Sequence, residues 1–230
     1  MVDRWKRLAP LSGIVFVGLV VASILVSGDQ PDVKDSSAKV VAYYSSHHGR
    51  TNAQVVMMAY AALFAIVYYV SVSQFLRARG AQMTATLTLV GGALLAVGCG
   101  LLAGTNAALG EAIGHFGAGQ MQVLNAVAMD LFWPMLMGGA ALATFMMGVA
   151  LLRTRALPKW LGIVTVVVGS VMLTGIGSWF GFMATGPLTL VIAGYVYARL
   201  GRPESISLPE MPGQRTNADE SAAADKASMA

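Results

Sequence analysis

Charge is what this chain has least of. Lys, Arg, Asp and Glu make up 11% of its 230 residues, less than half the roughly 25% usual in soluble domains. So few charges cannot clothe a globular surface of this size, which excludes an ordinary soluble domain. Disorder over most of the length is excluded too, because it needs low hydrophobicity and 56% of the residues are apolar. Cysteine is nearly absent: Cys99 stands alone in an apolar run. A single cysteine makes no internal disulfide and no metal motif, and it reads as a small buried hydrophobe. Histidine is confined to His47, His48 and His115. No nucleophile elbow, P-loop or dinucleotide fingerprint occurs, and the glycines at 114, 117 and 119 do not match GxGxxG. A polytopic, all-α transmembrane helix bundle remains.

What is there is a set of long uncharged stretches, at 8–28, 51–76, 80–110, 131–152 and 160–198. A membrane helix needs about 20 apolar residues, so each of the first four holds one span. The last has room for two and a reversal, with Gly175, Gly177, Gly181 and Gly186 near its middle. The expectation is six spans, at about 8–27, 54–76, 84–108, 124–152, 160–178 and 182–200. Span one starts basic and ends small, like a signal peptide. Its apolar core is longer than the roughly 7–15 residues of such peptides, so it reads as an uncleaved anchor.

Basic residues fall unevenly between the two sides. Arg4, Lys6, Arg7, Arg77, Arg79, Arg153, Arg155, Lys159, Arg199 and Arg202 flank one face, against Lys34, Lys39 and Arg50 on the other. The positive-inside rule puts the richer face, and both termini, in the cytoplasm, as in a multi-pass protein of the bacterial inner membrane. The pI near 9.4 therefore reflects topology and not nucleic-acid binding. Trp5 and Trp160 fall at the inner boundary and Trp133 and Trp179 at the outer one, as interfacial aromatic belts require. Residues 203–230, with Pro203, Pro209 and Pro212 and no apolar period, read as a disordered cytoplasmic tail.

The loop at 29–53 is the longest connection. Asp35 or Ser36 is placed to cap a helix on which Val40, Tyr43, Tyr44 and His47 recur at helical spacing. This amphipathic helix is expected on the outer membrane surface, orienting span two, or over the bundle mouth as a lid. Within the bundle, helices must meet through small residues. Gly100 and Gly104 form a GxxxG, supplemented by Gly91, Gly92, Gly98, Gly138, Gly139 and Gly148; the motif serves an internal contact or a dimer seam. A second GxxxG at Gly177 and Gly181 serves chain reversal.

Asp130 is the one acid near the body of a span. It lies 23 residues before the inner-boundary Arg153, about 34 Å at helical rise, while the hydrocarbon core is about 30 Å thick. It therefore sits at the outer rim. Asn106, Glu111, His115, Asn125 and His47 reach the same level and complete a candidate outward-facing binding site. A metal there needs three or four ligands about 2.0–2.2 Å from one ion, and neither HxxxH nor HExxH spacing is present. Met121, Met129, Met135, Met137, Met146 and Met147 offer thioethers suited to Cu(I), but they surround span four without forming a stripe. Pro134 should kink span four, and Pro187 lies in the first turns of span six. No cofactor is implied.

The stretch Leu151-Leu-Arg-Thr-Arg-Ala-Leu-Pro-Lys-Trp-Leu-Gly162, together with Val41-Ala-Tyr-Tyr-Ser-Ser-His-His-Gly-Arg50, resembles motifs of small uncharacterised six-span bacterial integral membrane proteins of the domain-of-unknown-function type. The resemblance implies architecture and location, and no activity. In the first stretch Arg153 and Arg155 meet anionic headgroups, Pro158 breaks the helix and Trp160 anchors span five. The expected role is a non-enzymatic accessory or interaction protein, with a membrane-protein partner or a second copy. The alternatives are a small-molecule or lipid-binding carrier opening outward near Asn106, Asn125 and Asp130, and a membrane enzyme using Glu111, His115 or Asp130.

Overall fold

The computed structural model describes residues 2–175 and 177–200, without the side chains of 2, 3 and 131–133. The tail expected at 203–230, Arg202 and the side chain of Trp133 lie outside the described residues. Every regular element among those described is helical. They are α1 (Val2–Leu8), α2 (Ser12–Ser27), α3 (Ser37–Ser46), α4 (His48–Arg77), α5 (Gln82–Glu111), α6 (Ala118–Phe132), α7 (Gly138–Thr154), α8 (Lys159–Leu173) and α9 (Ser178–Leu200).

Five helical segments are long and apolar enough to cross a membrane: Arg4–Ser27, His48–Arg77, Gln82–Glu111, Ala118–Thr154 and Ser178–Leu200. The expected span five is shorter than its sequence stretch. α8 ends at Leu173 after 15 residues, about 22 Å at helical rise. The chain then turns at Gly175, whose φ of 75° suits glycine and little else. Gly177 belongs to this reversal, just before α9 begins at Ser178, whereas Gly181 packs on Met172 across the α8–α9 contact.

Span four is continuous from Ala118 to Thr154 but changes gauge on the way. Pro134 has no N–H to offer the carbonyl four residues back, and the helix widens to a π turn over Trp133–Met137, a common response to a lost rung.

The helices close a ring in the order α2, α4, α5, α7, α8, α9, with α9 returning to α2 along one of the thinner seams. Large apolar side chains lie on both sides of the wall. Tyr68, Leu76, Leu95, Leu136, Met147, Leu161 and Ile192 are buried, while Val21, Leu63, Val97, Ile163 and Val167 are exposed. That outward apolar belt is what a hydrocarbon solvent demands and water would not tolerate over such an area.

Close helix contact rests on glycines other than the expected pair. A Cβ at Gly91 would collide with the backbone nitrogen of Ala143, one at Gly139 with that of Leu95, and one at Gly98 would stand 2.6 Å from the nitrogen of Leu136. α5 therefore touches α7 and the π turn backbone to backbone. Gly100, Gly104 and Gly138 have open space around an added Cβ, so they do not pack within the bundle, and of the two readings of the Gly100–Gly104 pair the internal contact does not hold.

Candidate functional site

The loop helix α3 begins where Ser36 caps it, the Ser36 Oγ accepting from the Lys39 N–H at 3.4 Å. One turn of apolar spacing then buries Val40 and Tyr44 completely. α3 docks on α6, over the end of the bundle. The Tyr44 hydroxyl reaches Asn106 Oδ1 of α5 at 3.1 Å and Asn125 Oδ1 of α6 at 3.3 Å. Burial pushes the Tyr44 phenol well above its ordinary range, so it stays protonated and available as a donor. The Asn125 amide donates to the Pro31 carbonyl at 3.2 Å. The Asn106 Nδ2 group is buried without a partner.

These bonds tie down the strap at 28–36. The Tyr43 hydroxyl donates to the Ser27 carbonyl, Gln122 donates to the Asp35 carbonyl at 3.0 Å, and Gln30 donates to Gln54 Oε1 at 2.8 Å. Lys39 pairs with Asp35 at 2.7 Å. That hydrogen bond, then the Asp32 N–H, holds the Asp35 carboxyl below its usual range.

Beneath the strap is a cavity of about 410 Å³, within the range of small-molecule sites. Its walls are Phe16, Val20 and Ser23 of α2, Leu95, Cys99 and Leu102 of α5, and Trp179 and Phe182 of α9. Its rim is polar: Ser27, Gln30, Asp32 and Gln54. Trp179 and Phe182 stack at 6.2 Å between centroids, and the Ser23 hydroxyl contacts the Met58 sulfur at 3.1 Å. A second cavity of about 250 Å³ adjoins it deeper between α2 and α9.

The expected site residues divide. Asn106 and Asn125 meet through Tyr44, one turn beyond the cavity-lining Leu102 and Met129. His47 stacks on Tyr43 at 4.9 Å and is half-buried. Glu111, His115 and Asp130 are exposed, and none of them lines the cavity. Among the described residues no three His, Cys, Asp or Glu gather as a metal site. Sequence reasoning misses Gln30 and Gln54. Gln54 is an uncharged polar side chain on an apolar helix, 4% exposed, and that mismatch is the available signal. At the other end, Arg79 and Arg153 line a depression of about 290 Å³ with Gln82 and Thr84, beside Arg155 in the left-handed region at φ 50°.

Residues 11–198 match the family model described as domain of unknown function DUF4386, and the chain belongs to that family. No curated protein and no solved structure matches it.

Proposed function

We propose that this DUF4386 member is a six-span protein of the bacterial inner membrane. Both ends are cytoplasmic, and it receives an amphipathic small molecule or lipid in the outward-facing half of its bundle. The observation that carries the reading is the strapped cavity, whose apolar walls end in a rim of amides and hydroxyls. An amphiphile satisfies both parts: its tail removes apolar wall from contact with water, and its head replaces water on the rim. Glu111, His115 and Asp130, the groups expected of a membrane enzyme, stand apart from the cavity, which supports binding over that alternative. Anionic headgroups are the natural neighbours of Arg79, Arg153 and Arg155 on the cytoplasmic side.

The test is mass spectrometry of small molecules extracted from protein purified in mild detergent. One amphiphile per chain is expected, and its yield should fall several-fold in Cys99→Phe, which fills the cavity, and in Gln54→Leu, which removes rim polarity. Protein that carries no small molecule, and whose melting temperature no added amphiphile raises, would overturn the reading.

A second reading, an accessory protein acting through a partner or a second copy, is favoured by the open faces of Gly100 and Gly104. Small residues facing lipid allow another helix to approach closely. It predicts a dimer or complex in light scattering that the double variant Gly100→Leu/Gly104→Leu dissociates.

A further inference from the structure

The two cavities between α2 and α9 share Phe16, Val20, Ile24, Leu95 and Phe182 as walls, so they are successive compartments of one slot. On α2 the slot runs from Ser27 down to Phe16, and on α9 from Trp179 to Leu190. Either run spans about 16 Å at 1.5 Å per residue. That is about half of a hydrocarbon core roughly 30 Å thick, the depth of a single leaflet.

Polarity follows the same axis. The strap end has Gln30, Asp32 and Gln54, whereas the deep compartment is walled mainly by aliphatic and aromatic groups, with Tyr69, Thr185 and Thr189 as its hydroxyls. The slot also opens sideways. Val21, Ile24, Met183 and Leu190 line the deep compartment and are between 38% and 50% exposed on the outer surface of the ring. In a membrane that surface faces lipid and not water.

We infer that the occupant is one acyl chain of an outer-leaflet lipid, lying in the α2–α9 seam with its headgroup at Gln30 and Gln54. This rests on the binding reading above and adds the ligand class and the route. Depth selects a chain of leaflet length over a compact molecule. The lateral opening admits a molecule already dissolved in the bilayer, with no need to lift the strap. Asp32 is the charged residue among the described walls, and its carboxylate repels an anionic headgroup. A neutral or zwitterionic headgroup that can hydrogen-bond to the two amides fits. The Gln30–Gln54 bond leaves N–H groups on Gln54 and a carbonyl on Gln30 for it.

The experiment uses the full chain in vesicles of phosphatidylethanolamine and phosphatidylcholine. The vesicles are doped with a phosphatidylcholine that carries a diazirine at the end of one chain. After illumination, crosslinks are mapped by mass spectrometry. The informative positions are Leu95 and Ala140, both slot walls and both about 2% exposed, which bulk lipid does not reach. Wild-type protein should crosslink there. Val20→Trp puts an indole between the compartments, where an acyl chain could enter only by overpacking the slot, so labelling should drop about tenfold or more. Leu25→Trp, on the exposed face of the same helix, should leave it unchanged. Met183→Trp, on the opposite lip, repeats the test if Val20→Trp does not fold.

Undiminished labelling of Leu95 and Ala140 in the folded blocked variants would overturn the inference. Should the lipid probe miss both positions while a diazirine-bearing alkyl glucoside added from water labels them, the lipid route fails and the binding reading stands. If neither probe labels them, both fail.

Discussion

Tyr44 joins three segments of chain through one hydroxyl, bonding Asn106 and Asn125 while Asn125 holds Pro31. Tyr44→Phe removes the one O–H that the two buried amide oxygens share, and leaving a buried polar group unsatisfied costs about 1–3 kcal/mol. The variant should therefore melt several degrees lower in detergent. Asn106→Leu should cost less. It removes an amide whose Nδ2 already lacks a partner, and Tyr44 keeps its bond to Asn125. Paired thermal unfolding checks the order, and a larger loss in Asn106→Leu would refute it. Asp35 supplies a pH effect at this scale. Its folded pKa is depressed by Lys39, so its contribution to the start of α3 is present above the ordinary aspartate range, about pH 4. That contribution is lost as pH falls through the lower folded value. The protection of the amides in 37–43 against hydrogen exchange, measured relative to the unstructured chain at the same pH, should fall in acid, and Asp35→Asn should abolish the change.

At the scale of helices, the choice of contact glycine is a question of rotational phase. Gly98 and Gly100 are two residues apart, about 200° around the helix at 3.6 residues per turn. One therefore meets Leu136 while the other meets open space. Both faces of α5 are apolar, so hydropathy does not distinguish them, and a GxxxG spacing marks a competent surface without naming its partner. Gly98→Leu should lower detergent stability by several kcal/mol, since the backbone it would strike cannot swing aside as a side chain can. Gly100→Leu should be nearly neutral in the monomer. Unfolding curves for the two variants decide it, and equal losses would contradict the packing described. The same limit explains what was legible in the site. Ser36, Val40 and Tyr44 announce an amphipathic helix through local spacing. The partners of Tyr44 lie 62 and 81 residues away, and no local pattern selects Asn106 and Asn125 over Glu111 or Asp130. Long uncharged runs made the helices readable. Depth alone put six polar groups at one rim, and depth carries no information about which way each one faces.

For the whole molecule, topology turns on the short helix α8. Its 15 residues reach about 22 Å, short of a core of roughly 30 Å, yet bilayers thin locally around short helices at fractions of a kcal/mol per Å. Ring closure favours crossing. α8 packs along α7 and hands the chain to α9, and α9 returns its end to the start of the chain, where the Arg7 guanidinium lies 4.8 Å from the Tyr197 ring centre. Trp160 at the head of α8 and Trp179 just beyond its turn are each about half exposed, as two interfacial anchors would be. In a Cys99→Ala background, single cysteines at Ser46, Gln82 and Ser178 separate the outcomes. With six crossings and cytoplasmic ends, a membrane-impermeant maleimide on intact cells labels Ser46→Cys and Ser178→Cys. It reaches Gln82→Cys only after permeabilisation. If Ser178→Cys sides with Gln82→Cys, α8 is a re-entrant helix on the cytoplasmic side. The slot beside α9 would then need a different entrance, because its polar rim and the start of α9 would no longer share a leaflet.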